Sequence, residues 1–186
     1  MKRLPGEKTP RIYDELIAQY LPEDIENWIY VEPFGGTFAV NTFLPKRPKL
    51  SVYNDIHKYD FLDEIVADKY HHQNFHEILT EYDSEETIFY LDPPYFGKEC
   101  LYNVQTRTKD TFFHMVVYNA LSDLKGKFVL SYKKCDFILK LYKDFNIFHY
   151  TGDYFPLRNE IIITNHTPTE LRKLKLDMLN DSKKKR

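Results

Sequence analysis

The sequence predicts an α/β fold, a mostly parallel β-sheet with helices on both faces. Three observations carry the prediction. Strand-like and helix-like stretches alternate along the chain, no internal repeat or low-complexity linker interrupts them, and three strand-like stretches end directly in motifs rich in Pro, Gly, Asn and Asp. With 186 residues and 42% hydrophobic content, the chain supports one compact core. Residues 1–168 are therefore read as a single domain and 169–186 as a polar, basic helix or tail.

Ile12, Leu16, Ile17 and Tyr20 recur at helical spacing and predict an amphipathic helix over 9–20 that stops near Pro22. Residues 28–32 form a short apolar run halted by Pro33, the mark of a buried strand. A glycine pair then leads into a helix through Phe38, Val40 and Phe43. Residues 50–53 predict a second strand, closed by Asn54 and Asp55. A helix is expected over 58–67, a strand over 69–73 and a short helix over 75–79. Residues 87–91 (TIFYL) are rich in β-formers and run straight into Asp92, Pro93, Pro94 and Tyr95. The clearest helix spans 111–124, where Phe113, Val116, Val117, Ala120, Leu121 and Leu124 share a face. Strands at 128–132, 147–150 and 160–164 and a helix at 136–143 complete the pattern.

Composition narrows the function classes. Two cysteines, Cys100 and Cys135, without metal-ligand spacing around them, argue against a disulfide framework and a thiolate zinc site, and no metal is expected. No stretch approaches the ~18 apolar residues of a membrane span, so a cytoplasmic protein without a membrane partner is expected. The net charge of −2 hides an asymmetry: residues 1–100 hold 10 Lys+Arg and 19 Asp+Glu, residues 101–186 hold 16 and 9. A basic half can line one side of a polyanion groove, while the terminal run 183–186 reads equally well as a solvated tail.

In a parallel sheet ligands bind beyond the carboxyl ends of the strands, and the three strand-end motifs belong there. Two prolines cannot donate to a sheet ladder, so the strand ends at Asp92 and the backbone stiffens. The Asp92 carboxylate and the Pro93 carbonyl, held in one orientation, can accept both N–H bonds of an amino group on a planar base. Those bonds draw the nitrogen toward sp³ character and expose its lone pair. Tyr95 adds an aromatic face for stacking. The turn at 32–36 brings Glu32, Pro33, Phe34, Gly35 and Gly36 to a strand end where the backbone can approach a ligand; the spacing is not that of a dinucleotide pyrophosphate site, and a plain tight turn remains an equal reading. Asp55 suits a cofactor ribose diol or a helix cap.

These motifs resemble, in family order, the Dam-like or D12-class adenine DNA methyltransferases. The matching segments are PGEK (5–8), YVEPFGG (30–36), YNDIH (53–57), HQNF (72–75), FYLDPPYFGKECLY (89–102), GKFVLSY (126–132) and NEIIITN (159–165), and the match runs from about Leu4 to Pro168, nearly the whole folded part. The resemblance implies a Rossmann-like methyltransferase fold, S-adenosylmethionine as cofactor, and transfer of its methyl group to the N6 nitrogen of a flipped-out adenine in DNA. It implies a cofactor set of Lys8, Glu32, Pro33, Phe34, Gly35, Gly36, Asp55, Asn74, Phe75 and Asp92. Asp92, Pro93, Pro94 and Tyr95 are the expected catalytic segment, and Tyr95 and Tyr102 the expected substrate contacts.

Three departures stand out. Phe38 occupies the place of the family's usual last glycine, and Asn74 replaces an Asp. Only 36 residues separate Asp55 from Asp92, which leaves no room there for an inserted recognition domain. Target selection is then loose, rests on segments 97–110 and 151–158, or comes from a homodimer or a separate recognition protein. An RNA adenine methyltransferase and an idle, partner-dependent binding subunit are the alternative readings.

Overall fold

The computed structural model describes residues 8–97 and 111–168. Seven strands form one sheet: β1 (Ile29–Glu32), β2 (Leu50–Asn54), β3 (Lys69–His71), β4 (Thr87–Leu91), β5 (Lys127–Lys133), β6 (Asn146–His149) and β7 (Glu160–Thr164). Their order is β3-β2-β1-β4-β5-β7-β6. The pairs among β1 to β5 are all parallel, whereas β7 runs antiparallel to both β5 and β6. From β1 the chain steps outward through β2 and β3, then returns to β4 on the other side. The crevice beyond β1 and β4 is therefore the switch point where such sheets bind ligands.

Residues alternate in the face they bury. Along β4, Ile88 and Tyr90 enter one core and Phe89 and Leu91 the other. The first core packs Tyr13, Leu16, Ile17 and Trp28 with Val40 of helix α2 (Ala39–Phe43). The second takes Phe75, Ile78 and Leu79 of α3 (Phe75–Tyr82), Val117 and Leu121 of α4 (Thr111–Ser122), and Ile138 of α5 (Asp136–Leu141). Both faces are covered at β4, which is why that parallel strand is buried along its whole length.

The first helical stretch runs from α1 (Pro10–Ile12) through a π-turn (Tyr13–Ile17) to a 3₁₀ turn (Ala18–Tyr20), three hydrogen-bond patterns where the sequence predicts one helix. The helix expected over 58–67 reduces to a single 3₁₀ turn, Leu62–Glu64. Side-chain bonds divert the backbone there. The Tyr70 hydroxyl accepts from the Ala67 amide and donates to the Ile65 carbonyl. Asp68 takes the Ser51 amide and hydroxyl at 2.8 and 2.9 Å, drawing the chain back to the sheet edge. Tyr59 and Phe61 also stack at 4.9 Å, a pairing that residues two apart cannot make on one helix.

Among the described residues no helix is long and apolar enough to cross a membrane, and no group of three or more His, Cys, Asp or Glu is placed to hold a metal ion.

Candidate active site

The carboxyl ends of β1, β2 and β4 enclose a cavity of about 710 Å³. Its wall holds Lys8, Glu32, Pro33, Phe34, Gly35, Gly36, Asp55, Asn74, Phe75 and Asp92, so the whole sequence-derived cofactor set converges on one space. Ile56, His57, Gln73, Tyr90, Phe112 and Phe113 also line it, and the sequence gives none of these a site role.

Asn54 holds the strand ends in register. Wholly buried, it donates from Nδ2 to the carbonyls of Pro33 (2.9 Å) and Gln73 (3.1 Å) and accepts the Gln73 amide at 2.9 Å. The Gly35 amide donates to the Asn54 carbonyl at 2.7 Å, and the Gly36 amide to Asp55 Oδ2 at 3.0 Å. Glycine at 35 is required by space: a Cβ there would lie 2.5 Å from the Tyr53 ring and 3.0 Å from the Asn54 carbonyl oxygen. Gly36 adopts φ 50°, and Phe38 shares that left-handed conformation at φ 56°. That backbone shape accounts for a glycine being the easier residue at 38. Burial of the Phe38 ring against Tyr30 and Tyr53 offsets the cost.

Asp55 carries two structural bonds, from Gly36 to Oδ2 and from the His57 amide to Oδ1 at 2.9 Å, and still lines the cavity. Burial raises its pKa against those two bonds. Glu32 is 3% exposed and accepts from the Tyr30 hydroxyl (2.7 Å) and the Asn41 amide (3.0 Å). Burial outweighs both bonds and pushes its carboxyl up to about 8. Asn74 caps α3, its Oδ1 accepting the His76 amide at 3.0 Å while the residue also lines the cavity. Phe34 and Phe75 stack at 5.1 Å, a flat apolar wall beside these polar groups.

At the β4 end, Lys8 is 7% exposed and its ammonium donates to both Asp92 oxygens at 2.8 Å and to the Tyr95 hydroxyl at 3.1 Å. Tyr95 in turn donates to Glu160 Oε2 at 2.9 Å. Burial, with the Asp92 and Glu160 charges, holds the Tyr95 hydroxyl well above the ordinary tyrosine range. Burial also raises Glu160, opposed by Lys8. Asp92 and Pro94 face the cavity; Pro93 is buried, and Tyr95 lies outside the lining with its ring tilted against Tyr132 at 5.7 Å. Tyr102 lies outside the described residues. Glu160 and Tyr132 were visible to sequence reasoning only as members of strands, since apolar periodicity carries no signal for a buried polar partner.

Chemically, the cavity combines carboxyl groups at three strand ends, one buried cation and aromatic walls. It can take a ligand with a flat ring and with hydroxyl or ammonium donors.

Comparisons with known proteins identify the family and the fold. The family model described as D12 class N6 adenine-specific DNA methyltransferase matches residues 59–154. A candidate methyltransferase from Escherichia coli superimposes with a TM-score of 0.54 at 10% identity, covering 87% of this chain and 88% of its own, which shows a shared fold. SMU.776, a candidate methyltransferase complexed with SAH, gives a TM-score of 0.49 at 11% identity over 76% of this chain and 45% of its own. A dimethyladenosine transferase from Plasmodium falciparum gives 0.47 at 16% identity over 84% of this chain and 61% of its own. A search of curated protein sequences finds no match.

Proposed function

The chain belongs to the D12 class N6 adenine-specific DNA methyltransferase family, and from that premise we propose that it methylates the N6 amino group of adenine in DNA. Its methyl donor is S-adenosylmethionine, which when bound supplies an electrophilic methyl on a sulfonium sulfur. The cavity fits this donor on its own evidence: about 710 Å³ is the right size for a small-molecule cofactor, and the lining matches the molecule's parts. Phe34, Phe75 and Ile56 offer apolar surface to an adenine ring. Asp55 offers acceptors to ribose hydroxyls, and Glu32 offers a buried carboxylate to an amino-acid ammonium.

The observation that carries the reading is the placement of Asp92. It stands at the end of a fully buried strand, facing the cavity, with Pro93 and Pro94 fixing the backbone after it. In the proposed complex Asp92 and the Pro93 carbonyl accept the two N–H bonds of the substrate amino group and aim its lone pair at the donor side. As the nitrogen gains a carbon it must lose a proton, and the Asp92 hydrogen bond gives that proton a path out. Positioning of this kind can supply roughly 7–11 kcal/mol in favourable cases. The base must leave its stack to reach Asp92, at a cost of a few kcal/mol. Tyr95 presents its ring to the flipped base. Residues 1–168 act as a single catalytic domain, and target selection rests on segments 97–110 and 151–158 or on a partner protein or second copy.

The test is transfer of labelled methyl to DNA, RNA and protein, followed by mapping of the product. Label found at N6 of adenine in DNA supports the proposal. Label confined to RNA moves the substrate assignment, and donor binding without transfer to any acceptor makes the chain a partner-dependent subunit.

A further inference from the structure

Glu160 has no role in the mechanism above, yet it is buried beside the reacting group. The reason is topological. Because β7 runs antiparallel to β5, its first residue, Glu160, pairs with Lys133, the last residue of β5. An antiparallel strand thus delivers its beginning to the edge where the parallel strands deliver their ends. There Glu160 Oε2 accepts the Tyr95 hydroxyl at 2.9 Å, and the residue is only 7% exposed.

Resting on the methyltransferase reading, we infer that Glu160 is a positioning residue which, by accepting the Tyr95 hydroxyl, keeps that hydroxyl from joining the Lys8 ammonium on Asp92 and taking acceptor capacity meant for the substrate amino group. A hydroxyl has one proton to donate and lone pairs to accept with. Tyr95 accepts from Lys8 at 3.1 Å and donates to Glu160. Leaving a buried hydroxyl without an acceptor is unfavourable, so removing Glu160 sends its proton to another oxygen. Asp92 is the carboxylate tied to the same Lys8 ammonium, and its charge already acts on Tyr95. A Tyr95 bond to Asp92 would use acceptor capacity that the substrate N–H groups need. Glu160 therefore acts on Asp92 through Tyr95, without touching either reactant.

The experiment compares wild type, Glu160→Ala, Glu160→Gln, Tyr95→Phe and the Tyr95→Phe/Glu160→Ala pair. Donor affinity is read by calorimetry and kcat by labelled methyl transfer to DNA. The Tyr95 hydroxyl proton is read by NMR and assigned by its loss in Tyr95→Phe. Glu160→Ala is expected to lower kcat about tenfold with donor affinity unchanged, the scale of one misdirected hydrogen bond. Glu160→Gln keeps an acceptor and is expected to retain most of the rate. In the Tyr95→Phe background Glu160→Ala is expected to cost nothing further. Should Glu160→Ala fail to fold, Glu160→Met keeps the side-chain length without the acceptor. Normal kcat in Glu160→Ala, an equal loss with and without the Tyr95 hydroxyl, or an unmoved hydroxyl resonance would each overturn the inference. A wild-type chain that transfers no methyl while that resonance moves in Glu160→Ala defeats the functional reading and leaves the hydrogen-bond role standing.

Discussion

The ammonium of Lys8 lies 2.8 Å from each carboxylate oxygen of Asp92. A cation with several N–H donors thus sits where the proposed mechanism needs two N–H donors of a substrate amino group. The pair defines what Asp92 is built to hold, and it sets the first two predictions.

Asp92→Ala is expected to lower methyl transfer by at least about 100-fold, the scale seen when a preorganised partner of the transition state is removed. The fold is expected to persist, because Lys8 keeps the Tyr95 hydroxyl as an acceptor. Circular dichroism checks the second half. Near-normal transfer by this variant would remove Asp92 from the mechanism.

Lys8 places a positive charge on the wall of a cavity assigned to a sulfonium ligand. Lys8→Met is expected to shift the ratio of affinities toward the cationic donor over its uncharged-sulfur product by about fivefold, the scale of a screened like-charge interaction near ~1 kcal/mol. The ratio is the informative quantity, since general loss of packing weakens both ligands alike. An unchanged ratio would place Lys8 too far from the sulfur to matter.

Glu32 has a carboxyl pushed up to about 8, by burial first. It is therefore largely neutral near pH 7 in the free protein and ionises as pH rises. A cationic ligand favours the ionised form, so donor affinity measured against Glu32→Gln is expected to grow up to about pH 8 and level off beyond it. Folding stability runs the opposite way. The raised folded pKa makes this group's contribution fully present below about 4.5 and lost as pH rises through about 8, a slope that Glu32→Gln should remove. Calorimetry and urea unfolding across that range read the two effects separately.

Gly35→Ala is expected to destabilise the protein by about 1–3 kcal/mol and to weaken donor binding, because the new methyl would overlap the Tyr53 ring at 2.5 Å. Tyr53 is wholly buried and packed against Phe38, so the ring has little room to yield. Adding Tyr53→Leu to the variant should recover part of the loss. Wild-type stability of Gly35→Ala alone would mean that the turn shifts freely.

Local chemistry made the strand ends legible. Pro33, the Asn54-Asp55 pair and Pro93-Pro94 each stop a strand for reasons visible within a few residues, and apolar spacing predicts the helix that the structure gives at Thr111–Ser122. The same spacing passes over His114, which is wholly buried in that helix and bonded to Tyr132, because a period of apolar residues says nothing about a polar residue on the same face. The helix expected at 58–67 failed for a related reason: Tyr70 and Asp68 diverted the backbone through contacts that no propensity contains.

The sequence by itself determined that alternating elements form a parallel sheet and that Glu32, Asp55 and Asp92 stand at strand ends, since backbone sterics and side-chain period act over short range. Only the tertiary structure decided what those carboxylates meet. Lys8 reaches Asp92 across 84 positions and Glu160 reaches Tyr95 across 65, the second because one strand runs against the rest. Contacts at that separation depend on strand order and direction, which the packing of the whole sheet selects.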